Sequence, residues 1–345
     1  FVFKACSGTA ELDPCRSLHS SVVKLGFCLD AYVLNAMLHA YCCCCCCQGG
    51  GISYARKVFD EMPESEQSVP WNILMGGYLK CKMPNEVIDL FREMQSFSDT
   101  VKPDEITMVM LLSACSHLGS LKLGTWAESF IEREEESLSS ELYNALIDMF
   151  SKCGDVDRAS TLLKTMPPEK RTIVSWTSVI SGMSIHGRGR DAASLFEELI
   201  AGGGARPDGA TFVALLSACG RCGLVEEGKR YFEAMAKDYG IVPGIEHYGC
   251  MVDMLSRAGM VDEAVGLVEG MPVEPNAVIR RMVAAACRED GRLKVGETMG
   301  RDLVEREPME EANHVLLSSF YVEMAEWEKK VHARAAMGKN DIRKM

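Results

Sequence analysis

Positive charge is scarce relative to negative in this sequence: 37 Lys and Arg stand against 49 Asp and Glu, a formal net charge of −12 over 345 residues. That balance works against nonspecific attraction to nucleic acid, which comes from cations neutralising phosphates. Any contact with a phosphate backbone therefore has to be built locally. Long apolar runs are missing too: none approaches the roughly 20 residues of a membrane-spanning helix, so no membrane role is expected. Histidine is sparse, at seven, and none begins an H-x-E, one half of a zinc deaminase signature. Neither a G-x-x-x-x-G-K-[ST] phosphate loop nor a G-x-S-x-G elbow occurs. The chain is thus expected to carry no catalytic residue, no cofactor, no metal and no small-molecule substrate.

Material for a folded protein is present, with 47% hydrophobic and 25% charged residues. The opening "FVFKAC" lacks a methionine and reads as the interior of a longer chain, with any targeting segment upstream. The 16 cysteines are mostly scattered singly, unlike a secreted disulfide scaffold. Six are consecutive, Cys42 to Cys47, in "YCCCCCCQGGG". From Tyr41 to Ala55 there are fourteen positions, against nine from Phe150 to Ala159 in the matching stretch. The run is therefore expected to be an expanded turn between two helices, since neighbouring thiols point apart and make a poor tetrahedral site. Cys219 and Cys222 form a C-x-x-C, but Cys219 belongs to an Ala-Cys pair recurring at 5–6, 114–115 and 286–287. A residue recurring at one helix position is expected to be a small packing residue.

Repetition dominates the chain. Apolar faces such as "ARKVFDEM" (55–62), "AASLFEEL" (192–199) and "GKRYFEAM" (228–235) place small or apolar residues at i, i+3, i+4 and i+7, one side of an amphipathic helix. Seven such faces end at 62, 94, 131, 166, 199, 235 and 271, at intervals of 32 to 37. A second apolar segment precedes most of them, and a glycine joins the two: Gly119, Gly154, Gly187, Gly223, Gly259 and Gly291. A longer period overlies this one, because Trp71 and Trp176 are 105 apart and Asp104 and Asp208 are 104 apart. The unit is a helix–turn–helix of about 35 residues, and one pair cannot bury its apolar face without neighbours. An all-α solenoid is the expected fold.

Segments such as "YNALIDMFSKCGDVDRA" and "ARPDGATFVALLSACGRCGLVEEGKRYFEAM" resemble plant pentatricopeptide repeat proteins, and the triplet resembles their subclass alternating standard, long and short repeats (PLS). The tetratricopeptide alternative, a protein-binding scaffold, lacks its W-x₂-L-G-x₂-Y signature here. The resemblance implies a right-handed α-solenoid. Its repeats would be a partial long repeat at 1–30, short 31–67, standard 68–104, long 105–139, short 140–172, standard 173–208, long 209–244 and short 245–276. Residues 277–345 resemble the two E motifs of organellar RNA-editing factors. There Arg280-Arg281 replaces the family's Trp-Gly, weakening the helix's apolar face, and the second motif ends abruptly at "NDIRKM".

Such repeats read one RNA base each with two or three side chains. Carried over, the fifth and last residues read: Asn72 with Asp104 for uridine, Thr177 with Asp208 for guanosine. Asn35 with Gln67 and Asn144 with Thr172 would show a pyrimidine preference. Val109, Val213 and Gly249 offer no side-chain hydrogen bond. Val69, Ile106 and Val174 take the base-packing position. Lys80, His117, Lys152, Arg221 and Arg257, eight residues beyond the reading positions, are phosphate-contact candidates. The plainer reading makes the Asn and Asp residues helix caps and the cations favourable helix ends. The implied function is a sequence-specific single-stranded RNA-binding adaptor for organellar C-to-U editing, in a mitochondrion or chloroplast. It would recruit a DYW-type deaminase in trans through 277–345; RNA processing or stabilisation without editing is the alternative. The implied target is 5′-Y-U-N-Y-G-N.

Overall fold

The computed structural model describes residues 12–27, 30–44, 50–62, 67–97, 101–134, 137–202 and 204–325. Among these there are eighteen α-helices and no strand. The chain divides into two compact units, Phe1–Gly182 and Met183–Met345.

Two kinds of helix alternate, and composition explains why. Helices such as α6 (Glu105–Leu118, "EITMVMLLSACSHL") are apolar all round and bury Met108, Leu111, Leu112, Ala114 and Cys115. Helices such as α13 (Val225–Lys237, "VEEGKRYFEAMAK") carry one apolar stripe and bury only Gly228, Tyr231 and Met235. A helix apolar on every side needs neighbours on every side. Accordingly α6 packs against α4 (Val69–Lys80), α5 (Pro84–Phe97), α7 (Leu121–Glu134) and α8 (Ser140–Cys153). In the second unit α12 (Gly209–Cys222) likewise packs against α11 (Gly189–Gly202), α13 and α14 (Ile245–Arg257). Within each unit, first helices contact the first helix of the next repeat as well as their own second helix, the stacking of an α-solenoid.

Second helices within a unit are tied from repeat to repeat by ion pairs. Arg56 in α3 (Gly50–Asp60) makes a fork to Glu93 of α5 at 2.8 and 2.9 Å. Lys229 of α13 reaches Glu263 of α15 (Val261–Glu269) at 2.6 Å. Turns between the helices of a pair use the expected glycines; Gly119 and Gly223 close α6 and α12 at φ +62° and +68°, where a side chain is disfavoured. The repeat at 68–104 has no glycine there, and Lys82 adopts φ +57° instead. The recurring cysteines Cys115, Cys219 and Cys287 are fully buried, and burial pushes the Cys115 and Cys219 thiols up to about 12.

The cysteine run corrects the expectation of a turn. Cys42, Cys43 and Cys44 are the last three residues of helix α2 (Ala31–Cys44), and Cys42 and Cys44 are core residues. A Cβ at Gly77 would come within 2.5 Å of Cys42 Sγ, so that sulfur fills the contact between α2 and α4. Cys44 Sγ lies 3.4 Å from Cys15 Sγ. The apolar face of α2 simply continues through the first three thiols, which behave as small hydrophobes. Cys45 to Cys47 lie outside the described residues, as do the end of the second E-like segment from 326 and the first eleven residues.

Candidate nucleic-acid interface

Asp104 stands just before α6 and caps it. Its Oδ1 accepts from Thr107 N at 2.9 Å, and Thr107 Oγ1 accepts in return from Asp104 N at 3.2 Å. The plainer reading of this aspartate is thus realised, and a second role sits on top of it. Asn72, one repeat earlier in α4, donates from Nδ2 to Asp104 Oδ1 at 2.9 Å and to Oδ2 at 3.1 Å. Thr107 Oγ1 donates to Asn72 Oδ1 at 2.7 Å. A carboxylate only accepts, so the amide cannot be turned round without setting oxygen against oxygen. Ser68 Oγ donates to Asp104 Oδ2 as well. Asn72 is only 7% exposed, and its side chain serves the next repeat rather than its own helix. Burial pushes the Asp104 carboxyl up, but the donors Ser68, Thr107 N–H and Asn72 outweigh it and hold the group below its ordinary 3.8.

The same arrangement recurs two repeats on. Asn144 in α8 donates to Thr172 Oγ1 at 3.4 Å, and Ser175 Oγ donates to Asn144 Oδ1 at 2.6 Å. Thr172 N donates to Ser175 Oγ at 3.1 Å, so the last residue and the hydroxyl three positions on are again linked. Asp208 caps α12 through Thr211 N at 2.9 Å. Thr177 belongs to the first unit and Asp208 to the second, so each is placed within its own unit only. The third-position residues Thr107, Ser175 and Thr211 are completely buried. Sequence reasoning passed over them, although "DEIT", "TIVS" and "DGAT" each carry a hydroxyl three residues after the cap position.

Asn35 breaks the pattern. Its Oδ1 is buried with no hydrogen-bond partner, and the third residue of the following repeat is Pro70, which has no hydroxyl to give. Gln67 is exposed. At Val213 the place of the hydroxyl is taken by His247, whose Nδ1 accepts from Gly244 N at 3.1 Å while Nε2 donates to Gly209 O at 2.9 Å. That repeat closes on backbone groups and presents no side-chain reader.

Val69, Ile106 and Val174 stand out from the surface, 45%, 56% and 54% exposed. Each precedes the candidate reading position of its repeat by three residues, one helical turn. Lys80, His117, Lys152, Arg221 and Arg257 are all exposed. Two are already paired within their helices: Lys152 Nζ lies 2.7 Å from Asp148, and Arg257 Nε 2.8 Å from Asp253. His117 Nδ1 donates to Ser113 O at 2.8 Å. Lys80 Nζ approaches Cys43 Sγ at 3.8 Å.

Models of the PPR repeat family match residues 66–117, and models of the PPR repeat match 44–66, 141–167, 174–203, 210–239 and 246–274. An Arabidopsis thaliana pentatricopeptide repeat-containing protein, named as chloroplastic/mitochondrial, is 37% identical over all of this chain and 54% of its own length. A second from Arabidopsis thaliana is 35% identical, covering 99% of this chain and 75% of that protein. The chain spans about half the length of several of these relatives, 45% for one named as chloroplastic. The crystal structure of the pentatricopeptide repeat protein PPR10 in complex with an 18-nt psaJ RNA element superposes with a TM-score of 0.70 at 17% identity, covering 95% of this chain and 48% of that one. The maize PPR10 structure gives 0.64 at 14% identity, over 99% of this chain and 59% of that one. With a stacked helix-pair fold, matched repeats through most of its length and relatives more than a third identical, this chain belongs to the pentatricopeptide repeat family.

Proposed function

We propose that the chain is a sequence-specific single-stranded RNA-binding adaptor, of the PLS subclass with E motifs, that selects sites for C-to-U editing in an organellar transcript. The observation that carries the reading is the clamp on Asn72. An amide has two N–H groups and two acceptor lone pairs. Its nitrogen lies against both Asp104 oxygens and its oxygen takes the Thr107 hydroxyl, so the amide's orientation is fixed and a base edge would meet donor and acceptor in set places. A protein-binding scaffold needs no such oriented pair, and single-stranded RNA read base by base does. The solvent-facing valine or isoleucine one turn earlier supplies a surface on which a base can pack.

Relatives named as chloroplastic or mitochondrial support an organellar setting, and PPR10 bound to RNA supports RNA as ligand. The chain acts as a non-catalytic adaptor in this reading, with the deaminase supplied in trans through residues 277–345. The test is selection from a randomised single-stranded RNA pool at near-physiological salt, with Asn72→Ser and Thr177→Asn in parallel. An enriched U-N-Y-G core that changes at those two positions in the variants is the expected result. Enrichment indifferent to both substitutions would sink it.

A further inference from the structure

Helix α16 (Ala277–Glu289) begins with two arginines side by side, and the structure gives them different surroundings. Arg280 is absorbed: its Nε donates to Pro275 O at 3.0 Å, it pairs with Glu274 and Asp302, and its side chain is 18% exposed. The charge therefore sits in a salt network with α17 (Leu293–Arg306) instead of breaking the packing. Arg281 stands apart from that network. Among the described residues its guanidinium meets one acceptor, Asn313 Oδ1, at 3.5 Å.

The position of Asn313 gives that contact its meaning. It is the third residue of α18 (Glu311–Glu323) and fully buried, with Nδ2 directed to Leu303 O and Glu307 Oε2 at 3.3 Å each, so its oxygen is the end turned to Arg281. Thr107 stands to Asn72, and Ser175 to Asn144, in the same way: the third residue of one repeat holds the fifth residue of the repeat before. Three residues ahead of Arg281, Val278 is 55% exposed, as Val69, Ile106 and Val174 are. The preceding fifth positions of this unit, Val213 and Gly249, have no side-chain donor.

We infer that the helix pair 277–306 is one more RNA-contacting unit, in which Arg281 takes a paired acceptor edge, guanine O6/N7 or phosphate oxygens, while Val278 packs on the base. This rests on the RNA-reading assignment above. A guanidinium presents donors in a fork and accepts nothing, so it suits two adjacent acceptors, as guanine O6/N7 offers, and meets an amino donor on the Hoogsteen edges of adenine and cytosine. In register, the nucleotide is the third one 3′ of the G read by Thr177.

The test uses the whole chain and single-stranded RNAs carrying the U-N-Y-G core, or the same core with its U changed to C, each with G, A, C, U or an abasic residue at that position. Wild type, Arg281→Gln and Asn72→Ser are titrated at two salt concentrations, with circular dichroism melts to check folding. A preference of about tenfold for G that vanishes in Arg281→Gln identifies the base edge. Equal weakening on every RNA, abasic included, with the salt slope reduced by about one, identifies the phosphate. Arg281→Gln binding every RNA as wild type does, with Asn72→Ser still altering the core, overturns this inference alone. Failure of the wild type to select the core overturns both readings.

Discussion

Asn72 and Asn35 hold the same place in the first helix of their repeats, yet their side-chain oxygens end differently. Asn72 Oδ1 receives the Thr107 hydroxyl at 2.7 Å; Asn35 Oδ1 is buried and receives nothing. The residue that differs belongs to neither asparagine's helix. It is the third residue of the next repeat, Thr107 in one case and Pro70 in the other. Asn144, whose third-position partner is Ser175, sides with Asn72. The amide in this array is therefore oriented across a repeat boundary by a helix cap and a hydroxyl. An asparagine alone is an incomplete site.

Removing the cap should break the contrast most strongly. Asp104→Ala deletes the N-cap, worth about 1 kcal/mol, and leaves a buried amide unmatched, at about 1–3 kcal/mol more. A loss of about 2–4 kcal/mol in urea unfolding is expected, with uridine selectivity at the second target position gone. Gln67→Ala, at the exposed equivalent beside Asn35, should stay within about 0.5 kcal/mol. The Asp104 carboxyl adds a pH signature. Its folded value lies below the ordinary 3.8, so its contribution is complete above that pH and is lost as pH falls through the folded value. The stability gap between wild type and Asp104→Asn, which keeps a capping oxygen, should be flat from pH 7 to 5 and close below 3.8. A gap that persists at low pH would mean the charge is not what holds Asn72.

A narrower change should convert one site into the other. Thr107→Val keeps the volume, removes the hydroxyl, and leaves Asn72 Oδ1 in the condition of Asn35 Oδ1. An orphaned buried acceptor costs about 1–2 kcal/mol, which thermal melts can resolve. Discrimination between uridine and cytidine at the second position should fall severalfold while overall RNA affinity changes little. If discrimination survives, the orientation of the amide is set by Asp104 alone.

The helix pairs were legible because burial leaves a periodic trace: a 3.6-residue stripe on the second helices and all-round apolarity on the first ones. The turn glycines were legible for the same local reason, their positive φ. Legibility failed where the deciding partner lies a repeat away. Nothing local to "YCCCCCC" says that Cys42 fills the space beside Gly77, because that glycine is in the next helix pair. The spacing argument assigned the first three thiols to a turn, whereas packing extends the helix through them. The clamp on Asn72 was half legible. The asparagine and aspartate stood out by their recurrence, while the hydroxyl at the third position was passed over. Arg280 was legible as a departure from the family, but its rescue by Asp302 depends on a helix 22 residues away.

The reverse conversion is the smallest effect and the sharpest. Pro70→Thr places a hydroxyl at the third position and offers Asn35 Oδ1 the donor that Thr107 and Ser175 supply elsewhere. Proline near the start of α4 lacks no needed N–H and stiffens the unfolded chain, so its loss costs about 0.4–1 kcal/mol. The new hydrogen bond returns about the same, and net stability should scarcely move. RNA selection is where the change should register: the pyrimidine preference at the first target position should sharpen a few-fold, with the second position as an internal standard. Pairing the variant with Asn35→Ala distinguishes the routes, because a gain that depends on Asn35 must act through its amide. A gain that survives Asn35→Ala would place the effect in the backbone freed by losing the proline, and the boundary hydroxyl would then not be what separates the two asparagines.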